Sequence, residues 1–403
     1  MLRTSNRAGR ASALAVALCF LLAVAPAAIG SLAHAQAAAG RTAKLAAPIT
    51  RRLPSAPVVL PSKRKNDGHF QWSSTSPLIL PKSDATHRPV ALKDPSVVYA
   101  NGKFHMFMTT AGPQGWGLAY TSFRTWREAS AAPLTFLDQS PIGPGYRAAP
   151  QVFYFAPQKR WYMIFQGGDP LYSTTTTIDD PLSWSAPKPL FATAPDAVKG
   201  PDGRPVWLDF WVICDKVRCY LFNTGDNGRL YRSDTSLSDF PRGFGNTQIA
   251  LEDKRDRLFE ASMTYKVAGT GSYVTMVEAI GPKGRYFRSW TSSRLDGRWT
   301  PLADSLADPF AGSSNVDYPA GRWTLDISHG ELIRAGKDQT PTIDPCKPVQ
   351  FLYQGVDPRA DTTDYLNLPY RLGVLTATTR NPISAMCRTT IGARPRAKRT
   401  GVR

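Results

Sequence analysis

The sequence predicts an all-β protein, a five-bladed β-propeller with its active site on the central axis. Three observations predict it. One pattern recurs five times: an opening residue, about five strand-forming residues, a turn at Gly, Asn, Asp or Gln, and an aromatic-rich returning strand, with starts 55, 60, 51 and 69 residues apart. A period of that length with about four strands per unit is what a propeller produces. Helical periodicity is scarce, and 34 prolines in 403 residues suit short strands and turns better than long helices. A two-sheet sandwich also offers many short strands, but it predicts no repeat of this length.

In chain order, residues 1–35 read as a secretory signal. Arg3, Arg7 and Arg10 precede an apolar stretch from Ala11 to Ala28, and Ala33-His34-Ala35 offers a small-residue cleavage site. An uncleaved anchor is the rival reading; the Ala-rich composition and Pro26 count against it, and no later segment is apolar for long enough to span a bilayer. Residues 36–66 are Ala/Pro-rich and basic, a composition that buries no core, and read as a linker. Residues 67–387 hold the five repeats, expected as one catalytic propeller. The hairpins are "DPSVVYANGKFHMFMTT" from Asp94, "APQVFYFAPQKRWYMIFQGG" from Ala149, "DFWVICDKVRCYLFNTG" from Asp209, "EASMTYKVAGTGSYVTMVEAIG" from Glu260, and "HGELIRAGKDQ" from His329 with its mate "PVQFLYQG" after a longer connection. Each is followed by a third strand, as in "GWGLAYTSF" and "GRYFRSWTSS", and several then reach a Trp or Phe consistent with a fourth, outer strand. Residues 388–403 form a second basic tail.

The charge excludes one class of function. Residues 1–66 and 388–403 together carry sixteen Lys/Arg and no Asp/Glu, so of the net +18 only +2 belongs to the body between them. A nucleic-acid reader carries its basic patch on the folded surface, so nucleic acid is not an expected partner; neither is stable membrane insertion. Cys19 leaves with the signal, and the even number that remains favours disulfides in an exported protein. Cys214 and Cys219 flank "DKVR" and would face each other across a hairpin. Cys346 and Cys387 pair by elimination. A metal site is the alternative, but His spacing for one is missing.

In a propeller the first strand of each blade lines the axis, so the opening residues Asp94, Ala149, Asp209, Glu260 and His329 should converge at one mouth. Three carboxylates in close quarters repel one another and push their pKa values apart, an arrangement typical of working sites. Two carboxyl groups flanking a bond are the working pair of glycoside hydrolysis, one donating a proton and the other activating water or attacking carbon. Glu260, between Phe259 and Ala261, is the expected acid, because partial desolvation would raise its pKa. Asp94, beside Lys93, is expected to stay ionised as base, with Asp209 tuning the acid. Such a trio could also bind calcium. His329 could ligate an ion or touch sugar, with Asp326 as its supporting partner. Trp116, Trp207, Trp211, Tyr365 and Tyr370 fall on or near loops; Trp116 and Tyr365 are the expected sugar platforms, the others being blade-packing core.

With these residues in view, the chain resembles glycoside hydrolase family 62, the α-L-arabinofuranosidases. The resemblance runs from about Leu92 to Thr378 and is carried by "ALKDPSVVYANGK", "VFYFAPQKRWY", "VICDKVRCYLFNTGDNGRLYRS", "LFEASMTYKV", "VEAIGPKGRYFRSWTSSRLDGRWTP", "DISHGELIR", "DPCKPVQFLYQG" and "LPYRLGVLT". It implies a five-bladed propeller and an inverting single displacement that releases arabinofuranose side chains from arabinoxylan, a plant cell-wall polysaccharide. By the same resemblance Asp94 is the general base, Asp209 the pKa modulator and Glu260 the general acid. Lys93 matches a sugar-contacting lysine, and Gln166 and Arg371 join it among the substrate-binding candidates. His329 matches a histidine beside a calcium ion on the axis, structural and not required for the chemistry. Three departures stand near the sugar site: Gly167-Gly168 follows "FQ" where a Trp is expected, Leu366 follows Tyr365 where an Asn is expected, and "WLDFWV" differs around Asp209. A related propeller glycosidase (β-xylosidase or arabinanase) and a propeller that binds sugar without cleaving it are the competing readings. Secretion and a monomeric state are expected.

Overall fold

The structure, a computed structural model, describes residues 68–361 and 363–387; the proposed signal peptide, linker and C-terminal tail lie outside them. Five sheets stand around an axis, and most of their strands are adjacent in sequence and antiparallel, the shortest way to connect a sheet. Blade 1 holds Ala91–Ala100, Lys103–Gly112, Gly115–Phe123 and Thr135–Phe136. Blade 2 holds Ala148–Phe155, Arg160–Gly167, Asp169–Thr175 and Lys188–Pro189. Blade 3 holds Leu208–Cys214, Arg218–Thr224, Arg229–Ser236 and Gly245–Glu252. Blade 4 holds Met263–Val267, Ser272–Gly281, Gly284–Ser292 and Thr300–Ala303.

Blade 5 is assembled from both ends of the fold. Its inner strands are Ser328–Leu332, Gln350–Gly355 and Arg371–Ala377, but the next strand outward is Trp72–Ser74, paired antiparallel to Arg371–Ala377, with Val316–Asp317 running parallel outside it. The first described strand therefore completes the last sheet and closes the ring. The long connection inside the fifth hairpin is also structured. It passes beneath the neighbouring blades, where the carbonyls of Lys337, Gln339 and Pro341 accept the N–H groups of Tyr154, Cys214 and Lys266, and Thr342–Ile343 pairs with Met263–Val267.

Packing between blades follows from strand alternation. Successive side chains point to opposite faces, and a blade inside a ring is covered on both. Val97 faces blade 5 while Val98 faces blade 2; Val212 faces blade 2 while Trp211 faces blade 4. Near-continuous apolar runs such as "FWVI" are the result. Cys214 and Cys219 stand opposite each other in the hairpin register and are bonded, and Cys346 is bonded to Cys387.

Ring closure rests heavily on Trp72. Its indole is fully buried, donates to the Phe310 carbonyl at 2.6 Å and packs against Phe70 and Phe310. Truncation removes that packing and the indole's hydrogen bond. Trp72→Ala should lower unfolding free energy by about 3–5 kcal/mol in a urea titration, whereas the same change at the exposed Tyr99 should cost far less.

Candidate active site

Every inner strand is interrupted by a one-residue irregularity at the same mouth of the axis, after Lys93, Ala148, Leu208 and Ser328 and at Glu260–Ser262 just before Met263. Asp94, Ala149, Asp209 and Ala261 adopt left-handed φ values of 48°, 49°, 56° and 54°. A bulge of this kind turns a side chain out of the strand alternation and frees one N–H from the ladder. Each freed N–H donates to a side chain from the preceding blade: Asp94 to Gln354 Oε1 (2.6 Å), Ala149 to Thr109 Oγ1 (2.8 Å), Asp209 to Gln166 Oε1 (3.0 Å), Ala261 to Asp209 Oδ2 (2.8 Å) and His329 to Glu278 Oε2 (2.7 Å). Five such bonds make a closed ring around the axis.

The ring refines the sequence expectation. Asp94, Asp209 and His329 hold equivalent places, but the blade 4 equivalent is Ala261, and Glu260 stands one residue before it. Equivalent openers would all present side chains the same way; the single offset gives the glutamate a different wall. Its carboxylate meets the Arg285 guanidinium, which also binds Glu278 at 2.6 Å. Phe259 and Ala261 are buried as expected, yet Glu260 faces a cation rather than an apolar lining.

His329 Nδ1 lies 3.2 Å from Asp94 Oδ1 and 3.8 Å from Asp209 Oδ1. Burial alone would raise the Asp94 carboxyl, but the His329 charge and hydrogen bond, with Lys93, bring it down to about 2. Burial pushes Asp209 up to about 7; the Glu260 and Asp94 charges add to that while His329 opposes it. Burial disfavours the imidazolium, but the Asp209 and Asp94 carboxylates carry His329 up to about 9. Two aspartates at equivalent backbone positions are thus driven apart, one held ionised and the other held near its proton.

Beside this centre Lys93 is caged by aromatics. Its ammonium sits 4.1 Å from the Tyr365 ring, 4.6 Å from Trp116 and 5.0 Å from Tyr370, and donates to Tyr365 Oη at 2.7 Å. Gln166 holds the Asp209 N–H with its oxygen and Tyr146 Oη with its amide. Arg371 is placed differently from the substrate contact expected of it: its Nη1 binds the carbonyls of Val90 and Tyr370, bracing the last blade to the first. Asp326 supports Arg285 by accepting its N–H at 2.7 Å, and makes no bond to His329. Trp207 and Trp211 are buried, Trp211 donating to the Thr264 carbonyl. At two of the departures, Leu366 packs in the apolar cluster with Trp116 and Tyr370, and a Cβ on Gly167 would come within 2.5 Å of Leu171 Cδ1.

Calcium takes six to eight oxygen ligands. Among the described residues no three His, Cys, Asp or Glu side chains converge in metal-holding geometry, and Asp209 Oδ2 and both Glu278 oxygens already accept N–H or O–H donors. These side chains do not build a calcium cage.

Sequence reasoning missed Glu278, Arg285, Tyr146 and Asp226. Glu278 was within reach: a carboxylate in the middle of "VTMVEAIG" has no solvent face to occupy once both faces of a blade are covered. Arg285 opens a strand after a turn, and Asp226 lies in "GDNG", so both read as ordinary surface residues.

Residues 71–376 match glycosyl hydrolase family 62. Among curated proteins, alpha-L-arabinofuranosidase C of Cellvibrio japonicus is 43% identical over 310 residues, covering 76% of this chain and 47% of its own length; the chain spans about half of that relative. The catalytic domain of the Coprinopsis cinerea family 62 α-L-arabinofuranosidase is 49% identical with a TM-score of 0.75, over 77% of this chain and 98% of that one. An α-L-arabinofuranosidase of Podospora anserina, solved in complex with cellotriose, is 44% identical with a TM-score of 0.74, over 78% and 98%.

A pH prediction follows from His329. Its pKa is raised above the unfolded value, so its contribution to stability is fully present below pH 6.5 and is lost as pH rises through about 9. The melting temperature of the wild type should fall more between pH 7 and 10 than that of His329→Gln; equal slopes would remove His329 from the account.

Proposed function

The chain belongs to glycosyl hydrolase family 62, and on that footing we propose that it is an inverting α-L-arabinofuranosidase, exported, that releases arabinofuranose side chains from an arabinoxylan-type plant polysaccharide. The observation that carries the reading is the placement of Asp94 and Glu260. They come from blades 1 and 4, with blade 5 between them, so the two carboxyl groups approach a bound sugar from different sides. Inversion requires room for a water between acid and base, about 6.5–9.5 Å between carboxyls.

In this mechanism Asp94, kept ionised by His329 and Lys93, takes a proton from water as the water attacks the anomeric carbon. Glu260 gives a proton to the departing glycosidic oxygen, and the bond to the main chain breaks. Arg285 fixes the Glu260 carboxyl through one guanidinium nitrogen while Asp326 holds the Arg285 backbone. Asp209 orients Ala261, the residue after the acid, through its N–H. The relative solved with cellotriose, and another family 62 hydrolase solved in complex with xylotriose, 46% identical with a TM-score of 0.74 over 77% of this chain and 98% of that one, support a β-1,4-linked main chain as the bearer of the arabinose. The Trp116–Tyr365 pair, 6.1 Å apart, offers that chain its platform.

Incubation with wheat arabinoxylan should release arabinose, and proton NMR of the first product should show the anomer opposite to that of the substrate. Glu260→Gln and Asp94→Asn should each lower kcat by at least about 10³-fold with folding intact, since each removes a group used in the transition state. Release of xylose instead of arabinose would favour the β-xylosidase reading. Because the axial side chains build no calcium cage, EDTA should leave kcat unchanged.

A further inference from the structure

Asp226 lies on the turn between the second and third strands of blade 3. Thr224, at the end of the second strand, pairs with Leu208, so the turn emerges at the same mouth as Asp209. Its backbone is held from several directions. The Asp226 carbonyl accepts Arg255 Nε at 3.0 Å, and the Gly228 carbonyl accepts the Asp253 N–H at 2.9 Å. A Cβ on Gly225 would meet the Val206 carbonyl at 2.1 Å, and one on Gly228 the Asp253 carbonyl at 2.2 Å, so the turn fits only as glycines allow. Asp226 itself takes a left-handed φ of 51°.

A side chain fixed this firmly should have a partner, and Asp226 Oδ1 is buried with none. Two guanidiniums are at hand but engaged elsewhere: Arg285 with Glu260 and Glu278, Arg255 with the Asp226 main chain and Asp256. Both also flank the Phe259 ring, at 4.8 and 5.0 Å, which fixes them in place. A buried, unpaired polar oxygen costs free energy unless something arrives to pair with it.

We infer that Asp226 is a fourth carboxyl of the active site, and that its unpaired oxygen bonds a hydroxyl of the arabinofuranose held between Asp209 and Glu260. The inference rests on the arabinofuranosidase reading for the identity of the sugar. The charge of the site agrees with it: burial, with the Glu260 and Asp209 carboxylates, pushes Asp226 up to about 8, so it keeps a proton in neutral solution and can donate to a sugar oxygen as well as accept from one. Such a group discriminates sharply against a sugar lacking the matching hydroxyl.

The test uses the full chain with free arabinose, nitrophenyl arabinofuranoside and its monodeoxy derivatives. Asp226→Ala should weaken arabinose binding and lower kcat/KM by about tenfold or more, with Asp226→Asn recovering most of both. One deoxy derivative should be a poor substrate for the wild type yet cost Asp226→Ala nothing further. The same arabinose affinity in wild type and Asp226→Ala, or the same deoxy penalties in both, would overturn the assignment. Should Asp226→Ala melt without cooperativity, the near-isosteric Asn variant and the deoxy series on the wild type carry the decision. Wild-type protein that binds arabinose and cleaves nothing would sink the proposed function while leaving the binding arm to judge Asp226.

Discussion

The bulge at the mouth of each inner strand is the constraint on which the rest depends. It releases one backbone N–H per blade from the sheet ladder, and an unpaired buried N–H costs roughly as much as a lost hydrogen bond. The remedy comes from the preceding blade each time: Gln354, Thr109, Gln166, Asp209 and Glu278. A ring of five such bonds sets the position of every blade relative to the one before it. It also commits polar side chains to the axis, where an apolar plug would otherwise have been the stable filling.

Once polar groups must stand there, their charges have to be reconciled. Asp94, Asp209, Glu260 and Glu278 share the mouth with Arg285, Lys93 and His329. The cations are distributed rather than pooled: Arg285 faces the two glutamates, Lys93 is wrapped by Trp116, Tyr365 and Tyr370, and His329 reaches Asp94 and Asp209. This distribution gives two chemically equal aspartates unequal protonation. Which blade each aspartate hangs from decides which of the two keeps its charge.

The far end of the axis is closed by different means. Arg334 pairs with Glu331 and donates to the Val97 and Val152 carbonyls at 2.8 Å, joining blades 1, 2 and 5. The strap from Lys337 to Ile343 then ties blades 2, 3 and 4 from below. One mouth is locked by backbone pairing and a buried ion pair, which leaves the other able to carry strained φ values and clustered charge. Strain at a functional mouth persists only where the surroundings over-determine it, and the closed far end supplies that determination.

Much of this was legible in the chain itself. The repeat of about 55 residues and the paired strands of "DFWVICDKVRCYLF" define five blades, because a hairpin pattern depends on neighbours in sequence. Cys214 and Cys219 found each other for the same reason, and the repeat also brought Asp94, Asp209 and His329 to one mouth. What the repeat could not show is anything set by neighbours across blades. The one-residue offset of Glu260, its partner Arg285, the bracing place of Arg371, the closure of blade 5 by Trp72–Ser74 and the empty hydrogen-bonding place at Asp226 all depend on contacts between segments tens to hundreds of residues apart. Local pattern fixes which residues alternate and where a strand turns; only the closed ring decides which side chain meets which, since that requires every blade to be in place at once.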